Sequence, residues 1–281
     1  MSAASQVVSA GTTISVSYRP CPLCGRDNQD QPASPYSLAP WTIRSCRDCG
    51  FTYIDTAPKY EHLAVDLDWN ARFQVETERK AELRKVSYKF SRLTRMRMHL
   101  FGKRKVGRYV REKFNQGRIL DLGCGSGETI LDLLDSFTPY GVEISTSLAI
   151  KADQLFRPHG GHAENAPSIE GLGRFEENFF EAVAMRSYLE HEENPLGVMK
   201  EVFRVLKPGG IAVVKVPNFG SINRRVMGKK WCGFRYPDHL NYYTRNSLRQ
   251  LAQKAGLDIR FDFLGSLPTS DNMWAILSKP A

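Results

Sequence analysis

A chain of 281 residues is long enough to bury a full core and to carry a small module beside it. With 42% hydrophobic and 25% charged residues and no long Gly, Ser or Gln tract, it falls outside the disordered and fibrous classes, and no apolar run approaches the ~18–20 residues of a membrane-crossing helix. The net charge of +9 is concentrated: residues 72–118 hold 16 Lys/Arg against 4 Asp/Glu, an excess of 12 that leaves the remainder of the chain at −3.

In chain order, residues 1–17 are small and polar, with neither a basic start nor a compact apolar stretch. They read as a flexible tail and not as a secretory signal, so a cytoplasmic protein is expected. Residues 18–58 carry prolines, short alternating runs (Trp41-Thr42-Ile43, Phe51-Thr52-Tyr53-Ile54) and two matching knuckles, Cys21-Pro22-Leu23-Cys24-Gly25 and Cys46-Arg47-Asp48-Cys49-Gly50, with 21 residues between Cys24 and Cys46. A tight CxxC turn lets both sulfurs reach one metal ion. Two such turns supply four thiolates, a closed tetrahedral set that suits structural zinc and leaves no open position for catalysis. A redox dithiol is the competing idea; duplication of the CxxCG unit speaks against it.

Residues 59–117 are rich in charge and almost free of Gly and Pro. Val86, Phe90, Leu93 and Leu100 form one row at helical spacing, and Val106, Val110 and Phe114 form another, with Gly117 as the expected stop. This basic helical cap holds nine Lys/Arg and no acid between Lys89 and Arg111. It is either a docking face for RNA, an acidic lipid surface or a phosphate-bearing substrate, or the solvated side of two packed helices.

From Arg118 onward, apolar runs alternate with helical patterns. Strands are expected at Ile119–Leu122, Tyr140–Ile144, Ala182–Met185 and Ile211–Val216. Helices are expected after the first strand to about Ser136, then through Phe156, from Pro195 to Leu206, and from Thr244, a suitable N-cap, to Ala255. Leu257–Phe263 and Met273–Leu277 close as an antiparallel pair. The fold class is therefore α/β: a doubly wound, Rossmann-like sheet over residues 118–281.

Asp121-Leu122-Gly123-Cys124-Gly125-Ser126-Gly127 follows a strand and precedes a helix. Glycines at alternate positions allow a tight turn and close approach of backbone to a ligand, while the next helix points its first N–H groups into the same crevice. A nicotinamide-type loop needs a further glycine where Glu128 stands, and a carboxylate there would repel a pyrophosphate. Asp121 suits a ligand with an ammonium group and no phosphate. Glu143, ending the second strand, suits a pair of ribose hydroxyls.

These pieces, with Gly141-Val142-Glu143-Ile144-Ser145, Leu189-Glu190-His191 and Arg204-Val205-Leu206-Lys207-Pro208-Gly209-Gly210, resemble the class I S-adenosylmethionine (SAM)-dependent methyltransferases, in the subgroup related to ubiquinone-biosynthesis enzymes. The resemblance implies SAM as methyl donor, with Gly123, Cys124, Gly125 and Gly127 around its methionine part and Glu143 with Ile144 at the ribose. The family places an Asp near the adenine where this chain has Gly161-His162-Ala163-Glu164, so His162, Ala163 and Glu164 are the adenine candidates. Arg186, directly after the Ala182–Met185 strand, joins the expected cofactor set. A four-cysteine ribbon ahead of such a domain also resembles one found in some bacterial methyltransferases acting on sugars or natural products.

Two segments fall beyond the carboxyl ends of the strands: Arg186–His191, and the long basic and aromatic stretch Asn218–Tyr243, which reads as a binding lid. If the acceptor is a hydroxyl, a base must take its proton; His239 is preferred and His191 is the other candidate. The expected function is methylation, most simply O-methylation, of a small-molecule, glycan or natural-product acceptor. An RNA methyltransferase gripping rRNA or tRNA is the alternative, and a non-catalytic scaffold retaining the fold is the third.

Overall fold

The structure, a computed structural model, describes residues 5–9, 12–58 and 106–281. The first helical row of the basic cap, and its residues 59–105 generally, lie outside the described residues.

Five short strands come first: β1 (Ser5–Ser9), β2 (Thr12–Tyr18), β3 (Ile43–Ser45), β4 (Thr52–Ile54) and β5 (Thr56–Pro58). Within the 1–17 stretch expected as a flexible tail, the described residues form β1 and most of β2. β1 pairs antiparallel with β2, and β2 with β5. The segment Thr12-Thr13-Ile14-Ser15-Val16 carries β-branched residues that favour extended backbone, and β5 offers it a partner. β3 and β4 pair antiparallel on either side of the second cysteine knuckle, in the region where short strands were expected.

The α/β domain follows as α1 (Val106–Arg111), β6 (Gly117–Leu122), β7 (Phe137–Glu143), α2 (Thr146–Phe156), β8 (His162–Asn165), α3 (Ser168–Gly173), β9 (Phe180–Arg186), α4 (Pro195–Val205) and β10 (Leu206–Pro217). α5 (Ile222–Met227), β11 (Asn241–Tyr242), α6 (Arg245–Lys254), β12 (Asp258–Phe261) and β13 (Asn272–Ser278) complete it. Seven strands make one sheet in the order β12-β13-β10-β9-β6-β7-β8. β6 to β10 run parallel, and β13 is antiparallel to both β10 and β12, as the missing helix between the last two runs implied. Strand order reverses between β6 and β9, so the crevice beyond Asp121 and its neighbour Ala184 is the topological switch point where such sheets bind ligands.

Alternation along the strands divides the core into two layers. Leu120, Leu122, Val183, Met185 and Val214 face α4 and α6, while Ile119, Ala182, Ala184 and Val213 face α1 and α2. Thr244 caps α6 as expected, in a reciprocal pair with Ser247. Two helical expectations are corrected. The segment after the glycine loop is a 3-10 helix, Glu128–Leu133, because β7 already begins at Phe137 and leaves no room for a longer α-helix. Gly117 does not end a helix; it opens β6 at φ +143°, where Glu181 packs against its bare α-carbon.

The cysteine module shares the core of the main domain. Cys21, Leu23, Cys46, Phe51 and Tyr53 join the layer that holds α4 and α6, with Phe51 at 5.3 Å from the Tyr243 ring. β11 extends the β3–β4 hairpin into a three-stranded sheet. The Asn218–Tyr243 stretch is therefore not an open lid. Its Trp231, Phe234, Leu240 and Tyr242 are buried against Trp41, Ile43 and Ile54, and each such buried side chain contributes roughly 1.5–3 kcal/mol over an exposed one. Among the described residues no helix is long and apolar enough to cross a membrane.

Candidate functional site

The turn after β6 places Gly123, Gly125 and Gly127 at φ +70°, +54° and +88°, the left-handed region that glycine alone enters without strain. At Gly123 an added β-carbon would come within 2.6 Å of the Tyr188 ring, so that residue is glycine for space as well as conformation. The loop is tied to the tip of β7: the Gly123 and Cys124 N–H groups donate to Val142 O at 2.9 and 3.2 Å. Gly125 N donates to Glu143 Oε2 at 2.9 Å, and Ser145 N donates to Glu143 Oε1 at 2.8 Å. Glu143 is buried, and each of its oxygens retains a lone pair for a further donor.

Asp121 lies beneath this loop at 1% exposure, and its Oδ2 has no hydrogen-bond partner among the described residues. Burial pushes its carboxyl up to about 7, against the opposing effects of a Thr129 hydrogen bond and the Arg186 charge. A buried carboxylate with an unused oxygen calls for a positively charged partner.

Above the loop is a cavity of about 250 Å³ lined by Gly123, Glu143, Ile144, Tyr188 and His191 among others, closed on its apolar side by Val142, Leu148 and Ala166. His191 Nδ1 is 2.8 Å from Asp238 O; a carbonyl accepts only, so that nitrogen carries the proton and Nε2 carries the lone pair. Burial pushes His191 down to about 4, in spite of the Asp238 bond, so it is a neutral imidazole at ordinary pH. His239 does not line this cavity. It is buried behind His191, ring centroids 4.8 Å apart, with Nδ1 2.8 Å from Gly233 O. Glu190, at 1% exposure, lies beside the two histidines, and the charges of Lys215 and Arg235 act on it.

The adenine candidates are not brought to the cavity. β8 pairs His162 with Tyr140, three positions short of the Glu143–Asn165 level. The His162 ring packs among Tyr140 and Phe175 and bonds Glu164, which is paired with Arg174. Strand-tip residues take their place: Asn165 donates to Glu143 O and Ile144 O at 3.0 Å each, and Ala166 and Ser168 line the cavity. β8 has no apolar run, so the sequence gives no signal for this strand or its tip. Ser187, Tyr188 and Glu192 also line the cavity; only their position directly after β9 signalled them.

A family model described as a methyltransferase domain matches residues 89–260, well over half of the chain. The chain belongs to the class I SAM-dependent methyltransferases. Among similar members, the ubiquinone biosynthesis O-methyltransferase of Xanthomonas oryzae pv. oryzae (strain PXO99A) is 31% identical over 99 residues, 33% of this chain and 40% of that one. The protein of the same description from Nitrosospira multiformis is 25% identical over 156 residues, 50% of this chain and 63% of that one. The chain thus spans between 40% and 63% of the length of these relatives. In fold, this methyltransferase is similar to a solved SAM-dependent methyltransferase from Archaeoglobus fulgidus, 17% identical, with a TM-score of 0.51 over 62% of this chain and 90% of that one. The glycine turn, the orphaned Asp121 oxygen and the cavity above them fit SAM.

The four cysteines come together in a second place. Cys21 Sγ is 3.5 Å from Cys49 Sγ and Cys24 Sγ is 3.4 Å from Cys46 Sγ, and all four sulfurs lie within 4.8 Å of one another. None is in a disulfide. Zinc–sulfur bonds of about 2.3 Å in a tetrahedron put sulfurs roughly 3.8 Å apart, so this donor set fits a zinc ion.

Proposed function

We propose that this methyltransferase moves the methyl group of SAM to a hydroxyl of a small-molecule, glycan or natural-product acceptor. The observation that carries this reading is one cavity with Glu143 and the glycine turn at one end and a neutral, carbonyl-locked His191 at the other. Asp121 would hold the ammonium group of SAM, Glu143 the ribose hydroxyls, and Ile144, Leu148 and Ala166 the flat faces of the base. When bound, SAM supplies a methyl carbon activated by its sulfonium; the acceptor oxygen bonds to it as the carbon–sulfur bond breaks, with the electron pair going to sulfur. His191 Nε2 would accept the acceptor's proton, and Asp238 and His239 would keep its ring in place. Positioning accounts for most of the remaining work. The four thiolates would hold zinc and tie the knuckles together.

Calorimetry with SAM, followed by labelled SAM with cell extract separated into RNA, glycan, lipid and small-molecule fractions, tests the reading. Absence of SAM binding removes it, and label confined to RNA replaces the acceptor class.

The second reading, an RNA methyltransferase, draws on the excess of positive charge in residues 72–118. Among the cations described there, Arg108 is paired with Glu112 and Arg111 with Asp135, which favours a solvated helix face. RNA binding would show itself by a steep loss of affinity between low and moderate salt.

A further inference from the structure

Two neighbouring segments leave large apolar side chains in solvent. α5 exposes Ile222, Val226 and Met227, with Val226 at 78%, and the loop 262–271 between β12 and β13 exposes Phe263, at 77%, and Leu264. Elsewhere among the described residues such side chains, Leu131 and Ile150 for example, come one to an element, which is ordinary for a protein surface. Ile222 N donates to Pro268 O at 2.8 Å, so the start of α5 is tied to the loop. The helix is also fixed in its rotation. Ser221 Oγ accepts from Arg224 N, and the Arg224 guanidinium turns inward, 4.3 Å from the centre of the Phe219 ring and bonded to Phe219 O and the Tyr36 hydroxyl. With Arg224 inward, Ile222 and Val226, one turn apart, share the outer side.

The charge here is of one sign. Residues 218–237 include Arg224, Arg225, Lys229, Lys230 and Arg235 and no Asp or Glu. Arg225, Lys229 and Lys230 are exposed, and their side chains form no ion pair or hydrogen bond among the described residues. Both acids of the neighbouring loop are engaged, Asp262 accepting from Gly265 N and Asp271 from Trp231 Nε1. The surface also has a definite place in the fold. Pro217, at the carboxyl end of β10, pairs with Asn272 at the start of β13, and β10 runs parallel to β9 and β9 to β6. α5 and the loop therefore lie at the same end of the sheet as the cofactor cavity.

We infer that α5 and the 262–271 loop dock this protein on an anionic lipid bilayer. Apolar side chains rimmed by unpaired cations match the two layers of such a surface: Val226, Met227 and Phe263 enter the headgroup boundary, and Arg225, Lys229 and Lys230 meet the lipid phosphates. A second copy docked through the same surface would bring like charges together. An RNA backbone would satisfy the cations and leave the aliphatic side chains in water. Docking in this way holds the cofactor end of the sheet at the membrane surface. It goes beyond the methyl-transfer reading and does not depend on it.

The test is co-sedimentation of the full chain with vesicles of phosphatidylcholine alone and of phosphatidylcholine with about one quarter phosphatidylglycerol, at low and moderate salt. The expected result is binding to the anionic vesicles only, weakened by salt. Each cation near such a surface changes the partition about fivefold, so Lys229→Gln with Lys230→Gln should lower it roughly thirtyfold. Val226→Ser with Phe263→Ser should lower it about tenfold or more. Neither pair lines the cofactor cavity, so SAM affinity by calorimetry should stay within about twofold in both variants, which separates lost docking from lost fold. Equal binding to both vesicle types, binding to neither, or binding that either double variant retains unchanged overturns the assignment. So does a dimer that Val226→Ser with Phe263→Ser abolishes in the absence of vesicle binding, which would make a second copy the occupant. None of these outcomes touches SAM binding or methyl transfer, which are read separately.

Discussion

Replacing Glu143 by Gln changes one atom and should weaken both the fold around the glycine turn and the hold on the cofactor. In the structure the two carboxylate oxygens each accept a backbone N–H, from Gly125 at 2.9 Å and from Ser145 at 2.8 Å. A glutamine has one acceptor oxygen, so its amide nitrogen must face one of those two donors. The lost bond and the unpaired buried N–H cost about 1–3 kcal/mol. The ribose hydroxyls lose a charged acceptor, and charge-assisted hydrogen bonds are about twice as strong as neutral ones, which adds roughly 1 kcal/mol. The first cost is present with and without SAM and lowers the stability of the fold; the second falls on binding, a rise in the SAM dissociation constant of roughly fivefold. Isothermal calorimetry with SAM on wild type, Glu143→Gln and Glu143→Ala measures it, with thermal melting as a check on folding. A Glu143→Gln protein that melts at the wild-type temperature and binds SAM as tightly as wild type would refute the tie between acid and glycine turn.

Asp121 has a carboxyl raised by burial to about 7, above its ordinary 3.8. The SAM-free fold therefore binds a proton that the unfolded chain does not, and its stability falls as pH rises from about 4 to about 7. Asp121→Asn should flatten that slope, raise the melting temperature at pH 8 and weaken SAM binding; an unchanged pH–melting curve rules this out. Glu190, also raised to about 7, supplies a second share of the slope that the variant leaves in place. His191 is neutral above about 4, so the acid limb of kcat/KM should lie well below 6.5, and His191→Ala should lower kcat about a hundredfold or more without changing SAM affinity. A wild-type acid limb near 6.5 that His191→Ala leaves in place would assign the base elsewhere. Metal analysis should find one zinc per chain, and its removal by a chelator, or Cys46→Ser, should lower the melting temperature of the whole domain, because Cys21 and Cys46 share its core. A metal-free protein that melts at the same temperature would make the module dispensable.

Much of this molecule is set by local chemistry and is readable without coordinates. The strand–glycine turn–acid series from Ile119 to Glu143 depends on backbone conformations that few residues allow. The paired CxxCG knuckles depend on the reach of two thiols across a tight turn. The Thr244 cap and the alternating apolar runs depend on hydrogen bonds and periods inside one element. Each needs only neighbours in the chain, so each is visible there.

What depended on distant contacts was not. β8 has no apolar signature, and only its pairing with β7 shows that Asn165 reaches the level of Glu143 and that Ala166, beyond it, lines the cavity where His162 and Glu164 do not. His239 and His191 both stand as candidate bases in the sequence; what separates them is that His191 lines the cofactor cavity while His239, bonded to Gly233 O, is packed against its ring. The aromatic stretch Asn218–Tyr243 has the composition of a lid. Its Trp231, Phe234, Leu240 and Tyr242 are buried instead because the cysteine module offers Trp41, Ile43 and Ile54 as an apolar partner surface, and removing both surfaces from water outweighs leaving either open.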